Sequence, residues 1–306
     1  MTKLKLSQAS IQFEKFIQLW QGSMTGPVEA FLSQDIQLSS SHRGNQRSIS
    51  QVVDHLKNDF DFNSITNIHI SNVVEKSTTE KTQISAYFYG ETTLESTVFF
   101  GGMMIITLNH QLIDDIKIQM NWVDGDTSLI SHWSLPLERL WKPNDPKSSA
   151  IMSELDAIWH DSENEVNPNS DEELIAEVWY RYAWALDLAD TSLYMDAFTD
   201  DAIVQLPPMG TLTGKREIIS TLKAFRMPWP SIQHYGEPLQ IDINFEQNKA
   251  ELMIGRIIPQ QTQDTDGQSI YAAHYKIELH LTQINQWKIH RMTYLPGWIR
   301  TQHGEL

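Results

Sequence analysis

Apolar residues recur at a spacing of three to four between positions 172 and 189, which predicts an amphipathic helix with one buried stripe. Ser170 and Glu173 have the capping-box pattern, so the helix is expected to begin just after Ser170. Asp187 lies beside the stripe, on the face that it shares with Trp184. From periodicity alone, Asp187 is predicted to be exposed near the helix end, because aspartate is rarely buried without a partner. The stripe consists of Leu174, Ile175, Val178, Tyr182, Leu186 and Ala189.

The rest of the second half continues as further helices and strands. A shorter helix is predicted over about 191–198, followed by a strand at 202–206 and a helix at 214–225. Four strands then follow, over about 237–246, 248–258, 269–282 and 286–296. A run of helices followed by a run of strands is typical of an α+β domain.

The first half repeats this order of elements. A helix at 11–21 precedes FLSQDIQL at 31–38, which corresponds to FTDDAIVQL at 198–206. A helix at 48–60 comes next, followed by strands near 68–76, 81–91, 97–110 and 112–123. The repeat predicts two tandem cone-shaped α+β domains, each with N-terminal helices packed on a strongly curved antiparallel sheet.

The segment between the two repeats is rich in Pro, Ser, Asn and acidic residues, as in KPNDPKSS at 142–149. This composition predicts a linker over 131–169, with a short helix around 150–159. The domains are therefore expected at 1–130 and 170–306. A sheet that wraps around a helix leaves an open cone, which is a suitable pocket for an apolar ligand. Large apolar side chains for such a pocket are concentrated in the second half: Trp179, Trp184, Trp229, Trp287 and Trp298.

Composition excludes several classes of function. The 306-residue chain has a formal net charge of −16 and no cluster of Lys and Arg, which argues against nucleic acid or an anionic membrane surface as a partner. Cysteine is absent, so disulfides, thiolate catalysis and cysteine zinc sites are excluded. No apolar run reaches the roughly 18 residues of a membrane span, and the N-terminus lacks a signal-peptide pattern. A soluble, cytoplasmic protein is expected.

Several motifs point away from cofactor and metal sites. GTLTGKRE at 210–217 is too short between its glycines for a phosphate loop and is predicted to be a turn into a helix. Gly101 and Gly102 fall inside a strand and indicate a bulge rather than a dinucleotide site. The histidines toward the C-terminus have no carboxylate at a recognised metal spacing, and no HExxH motif exists. We therefore predict no cofactor and no metal. These histidines are His274, His280, His290 and His303.

Three segments of the second half carry a family resemblance: YRYAWALDLADTSLYMDAFTDDA at 180–202, IQHYG at 232–236 and QWKIHRMTYLPGW at 286–298. Over about 170–300 the chain resembles the SnoaL-like branch of the nuclear transport factor 2-like superfamily. Within that branch it is similar to scytalone dehydratase and to related small dehydratases, isomerases and polyketide cyclases. The resemblance implies a cystatin-like α+β cone that binds a small apolar ligand.

The resemblance also implies a catalytic pair, Asp187 from the long helix and His234 from the start of a central strand. A carboxylate bonded to one imidazole nitrogen fixes the tautomer and makes the other nitrogen a general base near neutral pH. Without the resemblance, His234 is interpreted as an exposed histidine at the start of a strand. The residues expected to bind substrate are Tyr182, Trp184, Tyr271, His274, Arg291 and Trp298.

The strand at 269–282 leaves one question open. Its odd positions, from Tyr271 to Leu279, form an apolar face, and its even positions, from His274 to His280, form a polar face. Periodicity predicts that the odd face lines the cone, whereas an ungapped match to the dehydratases places His274 and Lys276 inside. Tyr271 and His274 are therefore equal candidates.

The first half lacks the implied pair. Matching the repeats puts Trp20 at the place of Asp187 and Thr66 or Asn67 near that of His234, while His69 is expected on a solvated strand face. We therefore interpret residues 1–130 as a divergent, structural copy. The two domains are expected to pack as an internal pseudo-dimer, and a higher oligomer stays open.

The expected function is that of a cofactor-independent lyase, isomerase or cyclase for a small apolar carbonyl or aromatic compound. Leu186 replaces the tyrosine that precedes the helix aspartate in the dehydratases, and Gln260 or Gln261 replaces their second pocket histidine. Dehydration of the same substrate is therefore not predicted. The alternative is a non-catalytic module for ligand binding or assembly, because fold does not fix function. A third hypothesis is that the chain is a small subunit of an oxygenase.

Overall fold

The computed structural model describes residues 7–134, 152–160, 169–226 and 233–300. Trp229 and His303 lie outside the described residues. The chain divides into two compact units, residues 1–167 and 168–306. Each unit has the predicted α+β architecture, with helices followed by a six-stranded sheet.

The described residues of the first unit form two α-helices, α1 (Gln8–Trp20) and α2 (Ile49–Lys57). Between them lies a short hairpin, and four long strands follow α2. The hairpin is β1 (Leu32–Ser40) with β2 (Gly44–Arg47), and the long strands are β3 (Ile65–Ser77), β4 (Thr82–Thr93), β5 (Thr97–Asn109) and β6 (Leu112–Gly125).

The second unit has three helices, α3 (Asp171–Leu188), α4 (Thr191–Ala197) and α5 (Lys215–Arg226). Its hairpin lies between α4 and α5, and four long strands again complete the unit. The strands are β7 (Phe198–Leu206), β8 (Gly210–Thr213), β9 (Gly236–Asn244), β10 (Lys249–Arg256), β11 (Ile270–Leu281) and β12 (Trp287–Arg300). The segment at 210–217 was predicted to be a turn into a helix, but its first four residues form β8, and only Gly214 separates that strand from α5.

The two sheets have the same strand order, β2-β1-β6-β5-β4-β3 in the first unit and β8-β7-β12-β11-β10-β9 in the second. This identity confirms the tandem repeat. The prediction of purely antiparallel sheets was wrong in one respect, because β1 pairs with β6 and β7 pairs with β12 in parallel. The last strand of each unit returns alongside the first in the same direction, so both sheets are mixed.

The core of the first unit continues past residue 130, into the predicted linker. Trp133 belongs to the core, and its indole Nε1 donates a hydrogen bond to the main-chain oxygen of Asp59 at 3.1 Å. Lys117 Nζ on β6 lies 2.7 Å from Asp156 Oδ1, which joins residues 152–160 to this unit. The helix expected around 150–159 is a short 3-10 turn, Glu154–Asp156.

The bulge predicted at Gly101 and Gly102 is confirmed, since the pairing of β5 with β6 shifts register between these two glycines. A Cβ on Gly102 would lie 2.0 Å from the main-chain oxygen of Gln119, so only glycine allows the close approach. We expect Gly102→Ala to lower the free energy of unfolding of the first unit by about 1–3 kcal/mol, because the two strands must separate. Urea unfolding checks this value, and an unchanged midpoint would contradict it.

Helix α3 has the predicted beginning. Ser170 accepts a hydrogen bond from the Glu173 N–H, and the Glu173 side chain accepts one from the Ser170 N–H, which is a complete capping box. The helix ends at Ala189, which adopts a left-handed conformation, and Asp190 then caps α4. Trp179 of α3 packs on Tyr275 of β11, with ring centroids 5.7 Å apart, so α3 covers the face of the sheet that carries Tyr275.

Candidate active site

Asp187 lies in the last turn of α3 and is 3% exposed. Periodicity predicted an exposed residue, and the structure places it inside the second unit instead. A carboxylate near the negative end of a helix is unfavourable by itself. Arg226, the last residue of α5, offsets this by donating two hydrogen bonds to the main-chain oxygen of Asp187, at 3.2 Å from Nε and 2.5 Å from Nη2.

His234 comes two residues before β9 and is 5% exposed. Asp187 holds it with both carboxylate oxygens: Oδ2 accepts from the His234 main-chain N–H at 2.8 Å, and Oδ1 lies 2.6 Å from the ring nitrogen Nδ1. A carboxylate only accepts hydrogen bonds, so Nδ1 carries a proton. In the neutral ring Nε2 is therefore the basic nitrogen.

The pKa of His234 is lowered from its usual value of 6.5. Burial is the main cause of the lowered pKa. The negative charge of Asp187 opposes it, and the positive charge of Arg256 adds to it. The imidazole is therefore neutral at pH 7, which is the state in which a histidine accepts a proton. Asp187 limits the decrease and orients the ring.

Three buried tyrosines and one arginine surround the pair. Tyr182 and Tyr194 have ring centroids 6.3 Å apart, and the negative charge of Asp187 raises the pKa of both. Tyr275 forms a hydrogen bond with Arg256, whose charge also acts on His234. Burial raises the pKa of all three tyrosines, that of Tyr275 to about 12, so their hydroxyls stay protonated and can donate hydrogen bonds.

Two donor atoms near the pair, the Tyr194 hydroxyl and Arg256 Nε, are buried and have no hydrogen-bond partner among the described residues. An unsatisfied buried donor costs about 1–3 kcal/mol, so such donors in a native protein need an explanation. An oxygen atom of a bound ligand would satisfy them.

Comparison with known proteins assigns this unit to a family. The sequence model of the SnoaL-like domain family matches residues 169–293. The second half of the chain is a SnoaL-like domain. None of the curated proteins compared with the chain matches it.

Similar solved structures include three that each align with part of the chain. The Kfla4162 protein from Kribbella flavida is 11% identical, with a TM-score of 0.34 over 38% of this chain and 90% of that one. LinA is 17% identical, with a TM-score of 0.32 over 42% and 86%. An NTF2-like protein with a cystatin-like fold from Novosphingobium aromaticivorans is 14% identical, with a TM-score of 0.32 over 44% and 84%.

Three of the residues predicted to bind substrate are buried in the SnoaL-like domain. Tyr182 and Trp184 are buried on α3, and Tyr182 lies close to the pair. Tyr271 is buried on β11, but its hydroxyl donates to Glu237 Oε1 and its ring lies against Gly255. Among the hydrogen bonds of the described residues, none joins Tyr271 to Asp187 or His234.

The other three predicted residues lie elsewhere. Directly paired residues of antiparallel strands face the same side, so Tyr275 and Tyr294 lie on the α3 side, and Glu278 and Arg291 lie on the opposite side. His274 alternates with Tyr275 and also faces away from α3. Trp298 is 53% exposed. The periodicity of β11 was right, and the ungapped match that placed His274 inside was wrong.

Tyr194, Tyr275 and Arg256 were missed as site residues. Tyr275 was on the face that periodicity turned inward but was not distinguished from its apolar neighbours. Arg256 ends the apolar run of β10, and a lone cation at the end of a buried strand is the signal that could have identified it.

The first unit contains a buried aspartate and histidine that sequence matching did not find. Trp20 occupies the expected position on α1, and its Nε1 donates to Asp59 Oδ2 at 2.6 Å. His42 Nε2 lies 3.0 Å from the same oxygen, and Arg43 Nη1 lies 3.4 Å from Asp59 Oδ1. The matched positions hold no such pair, as expected, but Asp59 and His42, which come from other positions, form a buried contact. Here the carboxylate follows α2, whereas in the SnoaL-like domain it belongs to the first helix.

Aromatic side chains occupy the region around Asp59. Trp133 lies 4.5 Å from His42 and 5.7 Å from Phe60, measured between ring centroids, and Trp20 lies 5.1 Å from Phe88. Trp20, His42 and Arg43 thus have Asp59 as their acceptor, whereas the Tyr194 hydroxyl and Arg256 Nε in the SnoaL-like domain have no hydrogen-bond partner among the described residues. This contrast supports the interpretation of the first unit as structural.

His55 makes the first unit sensitive to acid. Its ring is buried, Nε2 has no hydrogen-bond partner among the described residues, and burial lowers its pKa to about 4. The unfolded histidine binds a proton below pH 6.5 and the folded one does not, so stability falls as pH falls from about 6.5 to 4. At pH 5 we expect a loss of about 2 kcal/mol relative to pH 7 from this residue.

Urea unfolding at pH 7 and pH 5 measures the effect. The His55→Gln variant should lose less stability between the two pH values than the wild type. His69→Gln, at an exposed histidine of the same unit, is the matched control and should behave as the wild type does. An equal pH dependence in the His55 variant would contradict the assignment.

Within the described residues, no helix has both the length and the apolar character needed to cross a membrane.

Proposed function

We propose that the SnoaL-like domain is an acid–base enzyme that removes a proton next to the carbonyl group of a small apolar or aromatic compound, without a cofactor. The reaction class is that of a lyase, an isomerase or a cyclase. The main supporting observation is the buried hydrogen bond of 2.6 Å between Asp187 Oδ1 and His234 Nδ1. It leaves Nε2 as the base, close to buried tyrosines and Arg256.

The proposed step begins with His234 Nε2 taking a proton from the α-carbon of the substrate. The C–H bond breaks, an N–H bond forms, and the electron pair moves to the carbonyl oxygen as an enolate. Asp187 stabilises the imidazolium that results. Donors from Arg256 and Tyr275, which are close to the pair, would bind the enolate oxygen.

The enolate can then follow one of three courses. Protonation at another carbon gives an isomerisation, loss of a β-substituent gives an elimination, and attack on a second carbonyl gives a cyclisation. His234, now protonated, is the group that returns a proton in each case. The buried side chains around it favour a substrate with an apolar body and one oxygen acceptor, because the Tyr194 hydroxyl and Arg256 Nε are donors with no hydrogen-bond partner in the described part of the chain.

Deuterium exchange tests the common first step without knowledge of the natural substrate. A panel of small cyclic ketones is incubated with the protein in D₂O, and loss of the α-proton signal is followed by NMR. We expect the wild type to accelerate exchange for at least one ketone. His234→Asn should exchange the α-proton about 100- to 10,000-fold more slowly than the wild type, because this is the usual contribution of a general base.

His274→Asn is the matched control, because His274 lies on the opposite face of the sheet, and it should exchange at the wild-type rate. Binding of ketones with no exchange above the background rate would favour the alternative, a module that binds a small ligand without catalysis. Equal exchange rates in the wild type and the His234 variant would refute the proposed base.

A further inference from the structure

A second group of titratable side chains lies on the face of the SnoaL-like domain sheet that points away from α3. Glu278 and His280 are two residues apart on β11, so both point to this face. His290 is the extra residue of a bulge in β12, where pairing passes from Ile289 to Arg291. The bulge turns the His290 ring onto that of His280, with centroids 4.0 Å apart and planes 15° from parallel.

One coordinating atom from each of Glu278, His280 and His290 lies within 4.8 Å of the other two. His280 Nε2 is already 2.7 Å from Glu278 Oε1. Asp201 of β7 adds another carboxylate, with Oδ1 at 3.5 Å from His290 Nδ1. The side chains of Glu278, His280 and His290 are 29%, 29% and 15% exposed, so an ion in solution can reach them.

We propose that Glu278, His280 and His290 form a binding site for a divalent transition-metal cation such as Zn²⁺. Two imidazoles and a carboxylate are ligands that Zn²⁺, Ni²⁺ and Cu²⁺ prefer, whereas Mg²⁺ and Ca²⁺ prefer oxygen alone. The cation would replace the proton that His280 and Glu278 share, and rotation of the His290 ring would supply the third ligand. The site would connect β11 to β12, on the opposite face of the sheet from Tyr275 and the Asp187–His234 pair.

The three proposed ligands come from two neighbouring strands, Glu278 and His280 from β11 and His290 from β12. No metal was expected from the sequence, because spacing along one segment does not indicate which residues of two different strands meet in the sheet.

Lys249 limits the affinity of the site. Its Nζ lies 3.1 Å from Glu278 Oε1, the same oxygen that the cation would bind. A second cation, Arg291, has Nε 4.0 Å from Glu278 Oε2. Removal of the lysine charge frees the oxygen and removes a repulsion, so Lys249→Met should bind the metal more tightly.

Isothermal titration of the full-length, tag-free protein with ZnCl₂, after treatment with EDTA, tests the proposal. We expect saturable binding of one equivalent. Replacement of a residue that only hydrogen-bonds to a metal ligand lowers metal affinity by about 10- to 100-fold. Loss of a direct ligand in His280→Asn or His290→Asn should therefore lower the affinity for Zn²⁺ by at least about 100-fold. Lys249→Met should tighten binding by about 10-fold, as expected for one nearby charge.

Two further variants separate this site from others in the chain. His274→Asn changes a histidine on the same strand and the same face but outside the group, and His234→Asn removes the histidine of the proposed catalytic pair. Both should bind Zn²⁺ as the wild type does. Any of three outcomes would overturn the assignment. The wild type could show no saturable binding up to a 100-fold excess of metal, the His280 and His290 variants could bind Zn²⁺ with wild-type affinity, or His234→Asn could lose binding.

Discussion

Replacement of Asp187 by asparagine should lower the rate of substrate proton abstraction by about 1,000- to 10,000-fold while the SnoaL-like domain stays folded. In the wild type the carboxylate accepts a hydrogen bond from the His234 Nδ1–H and so leaves Nε2 as the base. An asparagine can present its amide N–H₂ to Nδ1, which favours the opposite tautomer and places the proton on Nε2. The base is then blocked, although little volume changes.

The pH dependence of exchange gives an independent measure of the same pair. The wild-type rate should fall on the acid side with an apparent pKa below 6.5, because burial lowers the pKa of His234 and only the neutral ring accepts a proton. In Asp187→Asn the residual activity should fall at still lower pH, because the carboxylate that raised the pKa is gone. If the acid side of the pH–rate profile moved to higher pH in Asp187→Asn, the electrostatic role of Asp187 would be contradicted.

Asp196→Asn is the matched control for Asp187→Asn. Asp196 lies on the neighbouring helix α4 and is exposed, so its variant should retain the wild-type rate and profile. Thermal unfolding of both variants shows whether the domain remains folded. A folded Asp187→Asn protein with wild-type exchange would remove Asp187 from the mechanism.

Local signals in the sequence predicted the elements of the fold well. The capping box at Ser170 predicted the start of α3, and alternation along β11 predicted which face packs against α3. Both signals act over a few residues and depend on hydrogen bonds or burial within one element. The parallel pairing of β7 with β12 joins residues about 90 positions apart, and no local pattern encodes which strands become neighbours.

The candidate site shows the same limit at the level of single residues. Periodicity predicted an exposed Asp187 because the helix alone offers no partner for a buried carboxylate. The partner, His234, is 47 residues away, and only the family resemblance connected the two. In the first unit, alignment of the two repeats identified Trp20 as the counterpart of Asp187 but did not identify a carboxylate. The carboxylate that contacts Trp20 belongs to Asp59, beyond α2.

Asp59→Ala should have the largest effect on stability of any substitution considered for the first unit. Asp59 is fully buried and accepts hydrogen bonds from Trp20, His42 and Arg43. Its removal leaves Trp20 Nε1 and His42 Nε2 in the core without this acceptor, whereas Arg43 Nη1 keeps its hydrogen bond to the His55 main-chain oxygen. Removal of one partner from a buried ionic group costs about 3–5 kcal/mol. Domains are stable by only about 5–15 kcal/mol, so the variant should approach unfolding of the first unit near room temperature.

Urea unfolding and limited proteolysis of the full-length protein measure this loss, with Asp35→Ala as the matched control. Asp35 is an exposed aspartate of β1, and its replacement should change the free energy of unfolding by less than about 0.5 kcal/mol. A double variant, Asp59→Leu with His42→Leu, removes the charge and its main partner together and should recover part of the stability, because a buried pair is often replaceable by apolar residues. A loss below about 1 kcal/mol in Asp59→Ala would mean that water or rearrangement satisfies the donors, and that the buried group does not hold the first unit together.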